Sequence, residues 1–154
     1  MPDISLETVT GKLNRVGYDA FIQALRQAKV SGNRNIELAH WLSHLLRSDR
    51  NDLARTIDRF KLDRAKLLSD VERVIEGFRK NETEMPGVSN TLVDLLDRSW
   101  HYATLFFGEA QIRTGHVLVA AFKSLDLKRA FTAISPEFGK LNADTMASEY
   151  RSIW

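Results

Sequence analysis

The chain has 154 residues, of which 44% are hydrophobic and 27% charged, and this composition is typical of one soluble domain spanning residues 1–154. It contains no cysteine, which excludes disulfide bonds and a thiol nucleophile. The 22 basic and 20 acidic side chains leave a formal charge of only +2, which is too small to favour a nucleic acid or a membrane surface as a partner.

The N-terminal residues lack the basic and apolar segments of a signal peptide, and no stretch of the chain approaches about 18 apolar residues. We therefore expect a cytosolic protein.

The N-terminal residues carry a short helical pattern. Ser5 can cap a short extra helix. Leu6, Val9 and Leu13 form one apolar stripe if that helix continues through the intervening glycine. The stripe either closes the core as a terminal clasp or forms one wall of a groove for an amphipathic helix.

The rest of the chain shows helical periodicity, and no segment alternates regularly enough to predict a strand. Asn51 and Asp63 are placed to cap helices, and either Ser89 or Asn90 opens another. Residues 81–89 contain turn formers without periodicity, which predicts a linker. The predicted helices, in chain order, span residues 15–30, 36–46, 51–60, 63–78, 90–107 and 114–123, with shorter pieces before a last helix over 142–154.

The two halves of the chain align with each other at a constant offset of 76 residues. The identical pairs fall at helix ends and at predicted buried positions. They are Asn14 and Asn90, Gly32 and Gly108, Ile36 and Ile112, His40 and His116, Leu42 and Leu118, Ser48 and Ser124, Ala54 and Ala130, and Thr56 and Thr132. We therefore predict an all-α fold in which a four-helix unit is duplicated with pseudo-two-fold symmetry, as repeat 1 (14–80) and repeat 2 (90–154).

The sequence lacks the motifs of nucleotide hydrolysis and of acyl transfer. There is no G-x-x-x-x-G-K-[ST] loop to cradle phosphates, no G-x-G-x-x-G and no G-x-S-x-G. We expect this chain by itself to bind no cofactor and to hydrolyse no ATP.

Two histidines raise an alternative, a helical metal-dependent hydrolase. His40 and His44 share one helix face, as zinc ligands do, but Trp41 stands where a zinc protease has its general-base glutamate. His40 also recurs as His116 in the second copy. We therefore interpret His40 as structural, with its ring nitrogens bonded to the neighbouring loop, and we assign no metal ligand.

The duplication, together with the segments Ile36–Leu42 and Thr114–Leu118, resembles the Clp N-terminal domain over nearly the whole chain. The second copy departs from the family pattern by carrying Trp100 and Thr104 where the first has Ala24 and Ala28. The segments Gly11–Asn14, Ile36–Trp41 and Leu105–Gly115 are most similar to the ClpV branch, the AAA+ ATPases of type VI secretion systems.

This resemblance implies a docking domain that delivers substrates or adaptors to an ATPase ring. For the ClpV branch it implies disassembly and recycling of the contracted secretion sheath, through an N-terminal helix of the larger sheath subunit. ATP, magnesium and the hexamer would belong to domains that this chain lacks. A general unfoldase resembling ClpB or ClpC, whose corresponding domain binds adaptors, is the alternative.

The resemblance also favours the groove over the clasp. The residues expected to bind the partner helix are Leu6, Val9, Leu13, Val16, Ala20, Leu92 and Leu95.

Overall fold

The helices follow one another with short connections in the computed structural model, which describes residues 5–154. Residues 1–4, which begin the predicted domain, lie outside the described residues. The helices are α1 (Leu6–Thr10), α2 (Arg15–Val30), α3 (Leu38–Leu46), α4 (Asp52–Phe60), α5 (Arg64–Glu76), α6 (Asn90–His101), α7 (Thr114–Phe122), α8 (Leu125–Ile134), α9 (Ala143–Ser148) and α10 (Tyr150–Ile153). A π-helical turn over Tyr102–Phe106 extends α6, and a 3₁₀ helix spans Pro136–Lys140. The predicted all-α class is confirmed.

Short polar side chains begin the helices where the sequence predicts them. The Ser5 hydroxyl accepts a hydrogen bond from the Thr8 N–H at 3.1 Å, and Asn51 accepts one from the Ala54 N–H at 2.8 Å. Asp63 caps α5 in the same way. Each cap satisfies a backbone donor that has no partner within its helix.

Several predicted boundaries differ in the structure; for example, the helix predicted to end at Phe78 ends at Glu76, and the one predicted to end at Phe107 is α-helical only to His101. The helix predicted from Ile36 begins at Leu38, because Ile36 belongs to a two-residue strand. The last predicted helix, over 142–154, is interrupted at Glu149, whose backbone is not helical. The first helix ends at Thr10, so Leu13 lies beyond it in an extended connection.

Two short parallel pairings join the copies. Strand β1 (Asn35–Ile36) pairs with β2 (Gly87–Val88), and the Ser89 N–H donates to the Ile36 carbonyl at 3.0 Å. In the equivalent pairing on the other side, the Asn14 N–H donates to the Ile112 carbonyl at 2.9 Å. The residue that caps the first helix of each copy is therefore bonded to the loop of the other copy. Hydrophobic periodicity did not predict these pairings because each involves only two or three residues.

The structure corrects one pair in the repeat alignment. The two copies begin at the N-caps Asn14 and Ser89, which are 75 residues apart, whereas Gly32 and Gly108 are 76 apart. Asn90, which the sequence alignment paired with Asn14, is the first residue of α6. The π-helical turn accounts for the change in offset, since a π turn accommodates one residue more than an α turn.

The hydrophobic core is continuous across both copies. Its largest fully buried side chains include Trp41 from the first copy and Phe131 and Phe138 from the second. The Trp41 indole N–H donates to the Gly17 carbonyl at 3.0 Å, so burial of the ring leaves no polar atom unpaired. Along residues 5–154, no helix has both the length and the apolar character needed to cross a membrane.

Gly32 and Gly108 end the first helix of each copy in the same left-handed conformation, with φ of 69° and 68°. Their surroundings differ. A Cβ built on Gly32 would lie 2.5 Å from the Lys80 carbonyl oxygen, and the Gly32 carbonyl accepts from the Glu82 N–H at 2.9 Å. Among residues 5–154, no such contact lies within 4 Å of a Cβ built on Gly108.

This difference predicts unequal effects of alanine at the two glycines. Gly108→Ala should lower the free energy of unfolding by about 1–2 kcal/mol, the cost of left-handed backbone at a residue with a Cβ. Gly32→Ala should cost at least about 1 kcal/mol more, because Lys80 must move and the hydrogen bond from Glu82 is disturbed. Urea denaturation of both variants measures the difference. Equal losses would show that residues 80–82 do not restrain the Gly32 turn.

Candidate partner-binding surface

The apolar stripe of the N-terminal segment faces the protein interior. Val9 is 4% exposed and Leu13 is 5% exposed, and both belong to the main hydrophobic core. The Leu13 side chain lies against Gly17, where an added Cβ would be 3.4 Å from Cδ2 of the leucine. The Lys12 ammonium lies 5.4 Å from the centre of the Trp100 ring, which adds a cation–π contact with α6. For Val9 and Leu13, the structure therefore has the geometry of a clasp.

The other predicted site residues divide into buried and accessible ones. Ala20 is 6% exposed, and Leu92 and Leu95 are fully buried. Leu6 and Val16 are half-buried, packed against the core with part of each side chain open to solvent. In the unbound domain, only these two of the seven predicted residues offer appreciable apolar surface to a partner.

Val16 also borders a polar cleft between the start of α2, the start of α4 and the loop before α7. The cleft has a volume of about 330 Å³ and is lined by Asn14, Val16, Arg50, Asn51, Asp52, Arg55, Glu109, Gln111 and Arg113. Periodicity gave no indication of it, because its lining comes from three separate parts of the sequence.

An ion pair between the two copies forms one end of the cleft. Arg113 donates two hydrogen bonds to the buried Asp52 carboxylate, from Nε at 2.9 Å and from a terminal nitrogen at 2.8 Å. Asp52 also accepts from the Gly115 N–H at 3.1 Å. The bonds to Asp52 raise the pKa of Arg113, so the guanidinium stays charged. This bidentate pair holds the start of α4 against the start of α7.

The remaining arginines give the cleft its charge. Arg50 and Arg55 are exposed, and within residues 5–154 neither side chain forms an ion pair or a hydrogen bond. Glu109, on the opposite wall, lies 3.4 Å from Nε2 of His116. Arg50 and Arg55 therefore lie beside the accessible part of Val16 without an ion-pair partner among residues 5–154. Apart from the Arg113–Asp52 pair, the only other charged side chain in the lining is that of Glu109, so the cleft carries a net charge of about +1.

A second surface, which the sequence analysis did not predict, is apolar. It consists of Tyr102, Leu105 and Phe106 on the π-helical turn, with His101, around a depression of about 260 Å³. Leu105 is 84% exposed and Phe106 is 54% exposed. We call it the π-turn patch. A helical projection with 3.6 residues per turn cannot place these side chains correctly, because a π turn changes their angular positions.

The repeated histidines perform one structural task in both copies. Nδ1 of His40 accepts a hydrogen bond from the Glu37 N–H at 2.9 Å, and Nδ1 of His116 accepts from the Arg113 N–H at 3.1 Å. Each histidine thus bonds the backbone of the residue that begins its helix, as the glutamate of a capping box does. Nε2 of His40 lies 3.0 Å from Oδ1 of Asn33 and donates to it. The structural interpretation of His40 is confirmed.

The same bonds argue against the metal-dependent hydrolase. Both ring nitrogens of His40 are engaged, and Nε2 of His44 lies 2.8 Å from Oε1 of Gln27. Throughout the described part of the chain, no three histidine or acidic side chains are grouped as a metal site would require. A metal could bind His40 only by displacing the Glu37 N–H from Nδ1, which would break the cap of α3, or by displacing Asn33 from Nε2.

Comparisons with known proteins give consistent results. The family described as the Clp repeat (R) N-terminal domain matches residues 13–133. The AAA+ ATPase ClpV1 of Pseudomonas aeruginosa is 31% identical over 150 residues, which cover 97% of this chain but only 17% of that protein.

Two solved structures share the fold. One comes from work on the coevolution of the ATPase ClpV, the TssB-TssC sheath and the accessory HsiE protein. It is 30% identical, with a TM-score of 0.95 over 99% of this chain and 94% of that one. The other is a complex of a ClpV N-domain with a VipB peptide, 24% identical, with a TM-score of 0.83 over 99% of this chain and 93% of that one.

The buried histidine cap predicts a pH dependence of stability. Burial, aided by the charge of His44, lowers the pKa of His40 from 6.5 to about 4. Because the unfolded chain binds the proton more tightly, stability is greatest above pH 6.5 and falls as the pH decreases towards 4. From pH 7.5 to pH 5, we expect His40 to account for a loss of about 2 kcal/mol.

Urea denaturation at both pH values tests this, with His40→Asn as the matched variant. Asparagine retains an acceptor for the Glu37 N–H but does not titrate. The variant should lose less stability on acidification than the unaltered chain. His116, whose pKa burial also lowers, remains in both proteins and contributes equally. The same acid sensitivity in both proteins would show that His40 is not the titrating group.

Proposed function

Because this chain belongs to the Clp repeat N-terminal domain family, we propose that it is the substrate-docking domain of a ClpV-type ATPase. In this proposal it binds an amphipathic helix from the larger subunit of a type VI secretion sheath and presents it for disassembly. The observation that carries the proposal is the fold that the chain shares, over nearly its whole length, with the ClpV N-domain solved with a VipB peptide.

The proposed contact surface begins with the accessible parts of Leu6 and Val16. A helix presents apolar residues three and four positions apart, so a short row of half-buried side chains can receive them. Val9, Leu13, Ala20, Leu92 and Leu95 support this surface from within the core. Their role in the proposal is to hold α1 and the start of α2 in position.

The charge next to Val16 indicates the chemistry of the partner's polar edge. A helix whose apolar face covers Val16 would place its adjacent polar residues over Arg50 and Arg55. Carboxylates there would meet two guanidinium groups that have no ion-pair partner within residues 5–154. We therefore propose that the bound helix carries aspartate or glutamate along the edge of its apolar face.

The proposal places this chain in a longer protein, since it spans only 17% of the length of ClpV1 from Pseudomonas aeruginosa. ATP and magnesium would be bound by the remaining domains, which would also form the hexameric ring in the cytoplasm. In the proposal, the residues of this chain bind and orient the partner helix.

Val16→Asp tests the apolar contact. Val16 is the second residue of α2, where a carboxylate is compatible with the helix dipole, so the fold should be retained. Burying this side chain against a partner contributes roughly 1.5 kcal/mol or more, and aspartate must also be desolvated. We expect the affinity for a peptide of the sheath helix to fall by at least about tenfold, measured by calorimetric titration.

Val30→Asp is the matched control for this experiment. Val30 is 88% exposed at the other end of the same helix, so its replacement should leave the affinity unchanged. Thermal melts of both variants separate folding from binding. If Val16→Asp is folded and binds the peptide as tightly as the unaltered chain, the helix binds elsewhere.

Charge reversal at the cleft tests the polar edge. The double variant Arg50→Glu and Arg55→Glu should bind the sheath peptide at least about tenfold more weakly at low salt, since two attractive contacts become repulsive. The difference should shrink at high salt because exposed charges are screened. Arg15→Glu, which changes an exposed arginine outside the cleft lining, is the control. An affinity that is independent of both charge and salt would refute the acidic edge.

A further inference from the structure

The chain that leaves the first copy covers the loop at the end of α2. After Phe78 it passes over the Gly32 turn, where the Glu82 N–H donates to the Gly32 carbonyl and the Asn33 side-chain amide donates to the Arg79 carbonyl at 2.8 Å. Four residues, 79–82, make this contact before the chain continues into β2. The first copy thus has a covered loop.

The equivalent loop of the second copy is uncovered. Gly108 has the backbone conformation of Gly32, and within residues 5–154 a Cβ built on it would meet nothing within 4 Å. The π-turn patch lies immediately before it, with Leu105 and Phe106 where the first copy has Lys29 and Val30. The second copy therefore combines an open glycine turn with an exposed leucine and phenylalanine.

Trp154 occupies the place in the second copy that Phe78 occupies in the first. Phe78 borders a depression lined by Ala39 of α3 and Ala130 of α8, and its ring lies 5.2 Å from that of His40. Trp154 packs directly on Gly115, the counterpart of Ala39, and its indole N–H donates to Thr56, on the helix equivalent to α8, at 2.8 Å. Each aromatic residue thus ends its copy beside the start of the histidine-capped helix.

The C-terminal aromatic residue also lies close to the open loop. The Trp154 ring is 6.4 Å from Phe107, which is 4.9 Å from Phe106 and stacks on His116 at 4.5 Å. The Trp154 side chain is thus linked through Phe107 to the residue that precedes the Gly108 turn, whereas in the first copy residues 79–82, which follow Phe78, contact the Gly32 turn.

We propose that, in the full-length protein, the segment following Trp154 docks on the Gly108 turn and the π-turn patch. The occupant is this protein's own continuation; this rests on the proposed function, in which the chain is one domain of a protein several times longer, as ClpV1 of Pseudomonas aeruginosa is. Its first four residues take the place that 79–82 take in the first copy, with a backbone N–H bonded to the Gly108 carbonyl. An apolar side chain of the segment then covers Leu105 and Phe106. The docked segment limits the orientations that this domain can take relative to the rest of the protein.

Hydrogen–deuterium exchange on the full-length protein tests this docking. At least one amide within the first residues after Trp154 should exchange on the order of tenfold more slowly than in an unstructured chain. Phe106→Asp and Leu105→Asp, each at an exposed position, should remove this protection. Val30→Asp is the matched control, because Val30 is the exposed residue at the position equivalent to Phe106.

Any of three results would overturn the proposal. The first is that the segment after Trp154 exchanges at the unstructured rate in the unaltered protein, and the second is that Phe106→Asp and Leu105→Asp leave its protection unchanged. The third is that protection appears only at high protein concentration, which would show that a second copy is the occupant. If the two variants instead weaken binding of the sheath peptide without changing protection of the segment, the patch belongs to the partner helix.

Discussion

The exchange of backbone hydrogen bonds between the two copies is the interaction on which the rest of the structure depends. Ser89 donates to Ile36 and Asn14 donates to Ile112, so the residue that starts each copy is fixed by the loop of the other. A buried backbone group without a partner costs roughly 1–3 kcal/mol, which makes each copy incomplete alone. The same pairing fixes the segment before α2, and thereby the position of α1.

The loops that accept these bonds are stabilised in turn by the buried histidines. His40 and His116 each bond the backbone at the start of the helix that follows their loop. This works only with a neutral ring, because Nδ1 must accept the hydrogen bond. Burial lowers the pKa of both rings and so favours that state. The recurrence of one histidine at the same place in both copies thus follows from backbone geometry.

The surfaces with proposed functions lie where the copies differ. Arg50 and Arg55, which have no ion-pair partner among residues 5–154, lie in a cleft beside Val16, on the side of the molecule where α2 begins. The first copy's glycine turn is covered by residues 79–82, whereas no residue between 5 and 154 covers the turn at Gly108 next to Phe106. Both copies contribute to one core, and these surfaces lie where the outer residues of the two copies differ. The surface proposed to bind the partner helix and the surface proposed to bind the following segment of the protein therefore lie on different parts of the domain.

The sequence by itself determined the helical class, the duplication, the caps Ser5, Asn51 and Asp63, and the structural role of His40, because each depends on residues close together in the chain. Tertiary structure decided which faces are covered. It buried Val9, Leu13, Ala20, Leu92 and Leu95, left Leu6 and Val16 half-exposed, and exposed Leu105 and Phe106. It also showed that Asn14 and Ser89 are the equivalent first residues of the two copies, because the π turn adds one residue to the second copy. Periodicity specifies which side chains share a face of a helix, but only distant segments decide whether that face meets protein or water.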